Sequence, residues 1–235
     1  MIFLIVILIQ LSLVSMAPEG LDPELWDLTI KGENGMPWYL KKLQTDNQSV
    51  ILSKTYLGEF QKWMIFYHNA YRAHHNSTPL TLAQNLSESA QRWAEHLASN
   101  HLLEHSKSGF GENIFAMSAG EFISSPKVVA EFSLSAFYAE RRKYNFDSPD
   151  PEEYLKTGHF TQMIWKKSTL HGAGIAAALS PNKQCYIVVV SGYSPQGNMK
   201  YPEAYKENVP PPNGLRTNYN LCFIIILAIV CLMNS

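Results

Sequence analysis

Two apolar runs near residue 180 constrain this chain more than any other feature. Gly174–Leu179 and Cys185–Tyr193, the second centred on Ile187-Val188-Val189-Val190, are the near-continuous apolar runs of buried strands. Between them, Ser180-Pro181-Asn182-Lys183-Gln184 has the composition of a turn, so a hairpin is predicted. Helical patterns around these strands then suggest a sheet covered by helices.

Four such patterns stand out. Leu57, Phe60, Trp63, Met64, Tyr67 and Tyr71 recur at helical spacing from Tyr56 onward and form one face. Asn85 opens a second candidate, with Glu88 in capping-box spacing and Leu86, Ala90, Trp93, Ala94 and Leu97 as its inner stripe. Ser125-Pro126, a cap residue followed by proline, predicts the start of a third. Its stripe runs Val129, Phe132, Ala136, Phe137 and Glu140, which brings a carboxylate onto an apolar face. A fourth, short helix is predicted in GHFTQMIW (158–165), with His159 and Met163 one turn apart. Trp93 and Trp165 are expected in the core.

At 235 residues the chain suits one domain with a substantial core. A net charge of −1, with no Lys/Arg stripe, argues against a nucleic-acid partner. Residues 1–17 are uncharged and end in Ser15-Met16-Ala17, the pattern of a signal peptide. An N-terminal extension over 18–55 follows, broken by Pro and Gly, with a short helix around Trp38–Leu43. The main domain is expected over 56–209, and a Pro-rich exit and spacer over 210–220, beginning Pro210-Pro211-Pro212. The hydrophobic tail 221–233 falls short of the about 20 residues of a spanning helix. It reads as a lipid-anchor signal, with Asn213-Gly214 as attachment region, or as a membrane segment. Sequons at Asn47, Asn76 and Asn85 favour the secretory route as glycosylation sites. Removal of the tail would take Cys222 and Cys231 with it and leave Cys185, at the head of an apolar strand, as a buried inert thiol.

His105, Glu112, Glu140 and His159 are polar residues in apolar settings. Two imidazoles and two carboxylates are ligand types for Zn²⁺ or another borderline divalent ion. They equally suit acid–base work, or a structural network of satisfied buried groups. Their spacing does not choose between these, because the four lie on separate elements.

His68-Asn69-x-Tyr71-Arg72, Gly111-Glu112-Asn113, the GHFTQMIW segment and Gly192-Tyr193-Ser194-Pro195-Gln196-Gly197-Asn198 together resemble the CAP superfamily of cysteine-rich secretory, antigen 5 and pathogenesis-related proteins. The resemblance covers about residues 56–209. It implies an α+β fold, a three-layer α-β-α sandwich with a central antiparallel sheet. It also implies that His105, Glu112, Glu140 and His159 converge in one surface cleft, with the two histidines on a divalent cation. By the same resemblance His68 and Arg72 are packing and hydrogen-bonding residues. The remaining histidines (His74, His75, His96, His101 and His171) read as surface or structural.

This chain lacks the family's extracellular disulfides and any cysteine-rich C-terminal module, so the ion-channel modulation linked to that module is not expected. The resemblance points to a non-catalytic protein of the secretory pathway or cell surface. Its partner would be a lipid, a sterol, a protein or a second copy, with membrane attachment through the tail. A hydrolase using a His–Glu site is the alternative, as is a metal-dependent self-associating membrane protein.

Overall fold

The computed structural model describes residues 52–119, 123, 125–179 and 185–213. The predicted signal peptide, nearly all of the 18–55 extension, Asn47, the 180–184 turn and the hydrophobic tail lie outside the described residues. Among the described residues, no helix is long and apolar enough to cross a membrane.

Among the described residues, five helices and four strands follow in chain order. They are α1 (Lys54–His74), β1 (Thr81–Leu82), α2 (Gln84–Asn100), β2 (Gly111–Ala119), α3 (Pro126–Ala139), α4 (Tyr154–Ile164), β3 (Leu170–Leu179), β4 (Cys185–Ser194) and α5 (Pro202–Asn208). The sheet order is β1-β3-β4-β2. The predicted hairpin pairs antiparallel with Leu179 opposite Cys185, and β2 runs antiparallel on the other side of β4. Only the two-residue β1 pairs parallel, against β3.

Side chains alternate across a strand, so each apolar strand feeds two cores. On one face Val188 and Val190 of β4, with Ala176 and Ala178 of β3, pack on Ala90, Ala94, Leu97 and Ala98 of α2. On the other, Ile175, Ala177, Ile187 and Val189 meet Phe60 and Met64 of α1, Val129, Leu134 and Phe137 of α3, and Phe160 and Met163 of α4. The expected three-layer α-β-α sandwich is formed.

Helix α2 approaches β3 so closely that glycine is required at two positions. A Cβ on Gly172 would strike the backbone of Leu86 and Ser87, and one on Gly174 the backbone of Ala90 and Gln91. Backbone cannot swing aside as a long side chain can. Gly174→Ala is therefore expected to lower stability by about 3 kcal/mol, the upper range for overpacking. Urea unfolding of the variant checks this, and an unchanged midpoint would contradict it.

Several local expectations need correction. Helix α2 begins two residues earlier than expected, with Ala83 rather than Asn85 at the cap position and no side-chain cap. Asn85 is thus an exposed residue inside the first turn, and the Asn85–Glu88 capping box does not form. The buried face of α3 is Val128, Val129, Ala130, Ser133, Leu134 and Phe137, with Phe132 and Ala136 only half-buried. Ser125 does cap α3, accepting from Val128 N–H. Helix α4 starts well before Gly158, which puts His159 mid-helix rather than at its head. Strand β2 and helix α5 are not among the predicted elements. Trp165 is buried, whereas Trp93 is half-buried and donates its indole N–H to the Glu104 carbonyl. Cys185 is a free, buried thiol, pushed up to about 12 by burial.

Candidate functional site

The site forms where the loop after α2, the start of β2 and the exposed side of α4 face one another. His105 lies in that loop and Glu112 is the second residue of β2. Glu140 ends α3, where the chain tightens into a 3₁₀ turn over Glu140–Lys143. His159 stands on α4.

Two histidine–carboxylate pairs result. His105 Nδ1 lies 2.8 Å from Glu112 Oε1, and that oxygen also accepts the Ser106 N–H at 2.9 Å. His159 Nδ1 lies 2.7 Å from Glu140 Oε1, while Glu140 Oε2 accepts the N–H groups of His159 (2.9 Å) and Phe160 (3.2 Å). A carboxylate can only accept, so each Nδ1 carries the proton and donates. In both pairs the imidazole is the more exposed member: 58% for His105 against 8% for Glu112, and 31% for His159 against 10% for Glu140. Phe137 stacks on the His159 ring at 5.0 Å and fixes its plane.

Both imidazoles line one open cavity of about 640 Å³. Glu112, Asn113 and Gln162 add polar groups to its wall, and Leu103, Phe110, Tyr154 and Leu155 make its banks apolar. Glu140 is not among the lining residues. It sits behind His159 and holds both the ring and its backbone. The four predicted residues are thus brought to one place in unequal roles, with two rings on the cavity and one carboxylate behind.

Each ring is left with an Nε2 that has no protein hydrogen bond among the described residues. Such a nitrogen can bind a metal ion or take a proton. Neither imidazole is bonded to a serine, threonine or cysteine among the described residues, and the Ser106 hydroxyl turns to Ser108 instead. Nor do three or more His, Cys, Asp or Glu side chains converge as a metal-ligand set among the described residues.

Three supporting residues were present in the recognised motifs without an assigned role. Asn113 donates its amide to the His159 carbonyl at 2.9 Å and to the Tyr193 oxygen at 3.3 Å. Gln162 accepts the Gly197 N–H at 2.8 Å and donates to the Ser168 hydroxyl at 3.2 Å. Asn198 accepts from Thr161 and donates to the Gly158 carbonyl, clamping the loop after β4 to α4. The alternation of β2 (Ile114 and Ala116 half-buried, Phe115 and Met117 buried) was the signal that could have placed Asn113 on the inner face.

The anchors behind the site are structural, as expected. Arg72 is fully buried and donates to the carbonyls of Thr78, Met163, Trp165 and Ser168 at 2.8–3.1 Å. With Ser77, which donates to the Ile164 carbonyl, it satisfies the C-terminal end of α4.

An α-β-α sandwich with paired imidazoles in a cleft beside β2 defines a CAP-domain protein. Residues 65–193 match the family described as CAP, the cysteine-rich secretory protein family, and the chain belongs to it. It is 34% identical over 165 residues to the human Golgi-associated plant pathogenesis-related protein 1, covering 68% of this chain and 99% of that one. With pathogenesis-related protein 1A of Nicotiana tabacum it shares 31% identity over 138 residues, 59% of this chain and 76% of the other. The solved structure "Crystal structure of NaASP2 with Zn2+" is 19% identical at a TM-score of 0.48, covering 76% of this chain and 91% of that one.

Proposed function

We propose that this chain is a non-catalytic binding protein of the secretory pathway or cell surface. Its cleft takes up a divalent cation, Zn²⁺ foremost, on the Nε2 atoms of His105 and His159, together with a lipid, sterol or protein partner. One observation carries this reading: each imidazole is tied through Nδ1 to a shielded carboxylate and keeps Nε2 toward a shared cavity. A carboxylate behind a histidine fixes the tautomer and raises the basicity of the other nitrogen, the support that metal-binding imidazoles use. Glu112 and Glu140 are orienting carboxylates in this reading. Two protein ligands leave the remaining coordination positions to water or to a group of the partner, and the apolar banks suit an amphipathic or apolar one. Exposed Asn76 and Asn85 are available for glycans on the same route.

Zn²⁺ titration calorimetry on the whole chain tests the proposal against the double variant His105→Ala/His159→Ala. A single saturable site in the parent, lost in the variant, is the expected result. Indistinguishable isotherms would mean that the pairs are structural, and the reading would fall.

A further inference from the structure

Strand β2 stands last in the sheet order β1-β3-β4-β2, so among the described residues one side of its backbone has no strand beside it. The alternation of the ladder fixes which groups lie on that side. On β3, Ala173 and Ile175 direct their backbone groups away from β4. The Ala173 carbonyl accepts from Gln61, and Ile175 is bonded at both its N–H and its C=O by the Gln91 amide. Gly172, Gly174 and Ala176 therefore bond to β4, where they stand opposite Gly192, Val190 and Val188. That leaves Ser191, Val189 and Ile187 to bond to β2, opposite Asn113, Phe115 and Met117. By the same alternation Glu112, Ile114, Ala116 and Ser118 turn their backbone N–H and C=O outward. None of these backbone groups has a hydrogen-bond partner among the described residues.

This edge runs into the cleft. Gly111, Glu112, Asn113 and Ile114 all line the cavity. Consecutive side chains of a strand point to opposite faces, so a cavity that touches four residues in a row lies against the strand's edge and its backbone. Long edges are normally blunted by lysine, proline or a bulge. Residues 112–118 contain no lysine or proline and pair with β4 in unbroken register. Their one charge, Glu112, is turned to His105 and the Ser106 N–H. Ile114 and Ala116 are only half-buried where they pack beside the α2 layer, so a further strand would shield them.

We propose that the partner of the cleft is an extended polypeptide segment, which adds as a strand to the outer edge of β2. The inference rests on the reading of the cleft as a binding site and selects one of its partner classes. The segment matches 112–118, about seven residues, with apolar side chains at alternate positions over Ile114 and Ala116. At the cleft end an acidic side chain meets the ion on His105 and His159, opposite charge against opposite charge. A lipid or sterol has no repeating donors and acceptors to match this ladder.

A random dodecapeptide library displayed on phage, selected on the whole chain with Zn²⁺ present, supplies the probe. Ala116→Pro removes one outward N–H and leaves the β4 ladder intact, a place where edge strands tolerate proline. Selected peptides should bind this variant at least about tenfold more weakly than the parent, while Zn²⁺ titrations of the two proteins coincide. N-methylation of alternate peptide residues should weaken binding to a similar degree, and methylation of the intervening ones should not. No enriched sequence, or sensitivity without that period of two, would overturn the inference; with Zn²⁺ still bound, the cleft reading would stand. Strand-type binding to a chain that takes no Zn²⁺ would support the edge and remove the ion. A dimer in sedimentation that Ala116→Pro abolishes would assign the edge to a second copy and overturn the inference as well.

Discussion

Replacing Arg72 by methionine is expected to cost about 4 kcal/mol of stability, a large share of what a domain of this size has. Methionine fills much of the same volume, so the loss comes from hydrogen bonds rather than from a void. Four carbonyls from α4, the turn after it and the segment after α1 would lose their donor while still buried. An unsatisfied buried acceptor costs about 1–3 kcal/mol, partly recovered by relaxation and water entry. Burial lowers Arg72 to about 10, so the guanidinium is still a cation at neutral pH. Arg72→Lys should recover only part of the loss, because an ammonium cannot reproduce the planar fork. Urea unfolding with helicity as readout checks both variants. A methionine variant within about 1 kcal/mol of the parent would show that carbonyl capping contributes little to the fold. Helix α4 carries His159, so on the proposed reading of the cleft any Zn²⁺ affinity is expected to fall along with stability.

Acid is expected to unfold this protein through its core histidines. Burial lowers His68 to about 3 and His75 to about 4, against an ordinary value of 6.5, and burial beside His68 and Arg72 lowers His171 well below it. The folded state keeps these rings neutral, whereas the unfolded chain binds a proton at each below pH 6.5. Their contribution is therefore fully present above pH 6.5 and is lost as pH falls toward the folded values. Each such group gives about 1.4 kcal/mol per pH unit, so His68 and His75 together give about 3 kcal/mol per unit between pH 6 and pH 4.5, and His171 adds in the same direction. The hydrogen bonds agree with the sign. His75 donates through Nδ1 to the Pro210 carbonyl and accepts the Tyr138 hydroxyl at Nε2, so a second ring proton would meet an O–H already pointed at it. Denaturant midpoints at pH 7, 6 and 5 measure the slope. A flat profile over that range would mean that the rings charge without opening the core.

The two apolar runs showed that a sheet must be covered, and helical spacing located the start of α1 to within two residues while the Ser125-Pro126 cap located that of α3. Those features depend on local chemistry: periodicity, β-branched side chains, a serine cap followed by proline. The elements that escaped detection were the ones whose signals are shared. Strand β2 begins with the Gly-Glu-Asn motif, and those residues read as a site rather than as part of a strand. The start of α2 was misplaced because Asn85 is a good cap residue by type, while the chain paired Thr81 and Leu82 with β3 and set the helix start by that pairing.

The sequence by itself determined the layered class and the residue types of the cleft, two imidazoles and two carboxylates within recognisable motifs. Only the tertiary structure decided what each one does. The choice of Nδ1 for the carboxylate and Nε2 for the cavity, and the place of Glu140 behind His159, depend on partners 7 and 19 residues away. Arg72 reaches carbonyls more than 90 residues along the chain. Such pairings follow from how helices settle onto the two faces of the sheet, which local spacing does not encode.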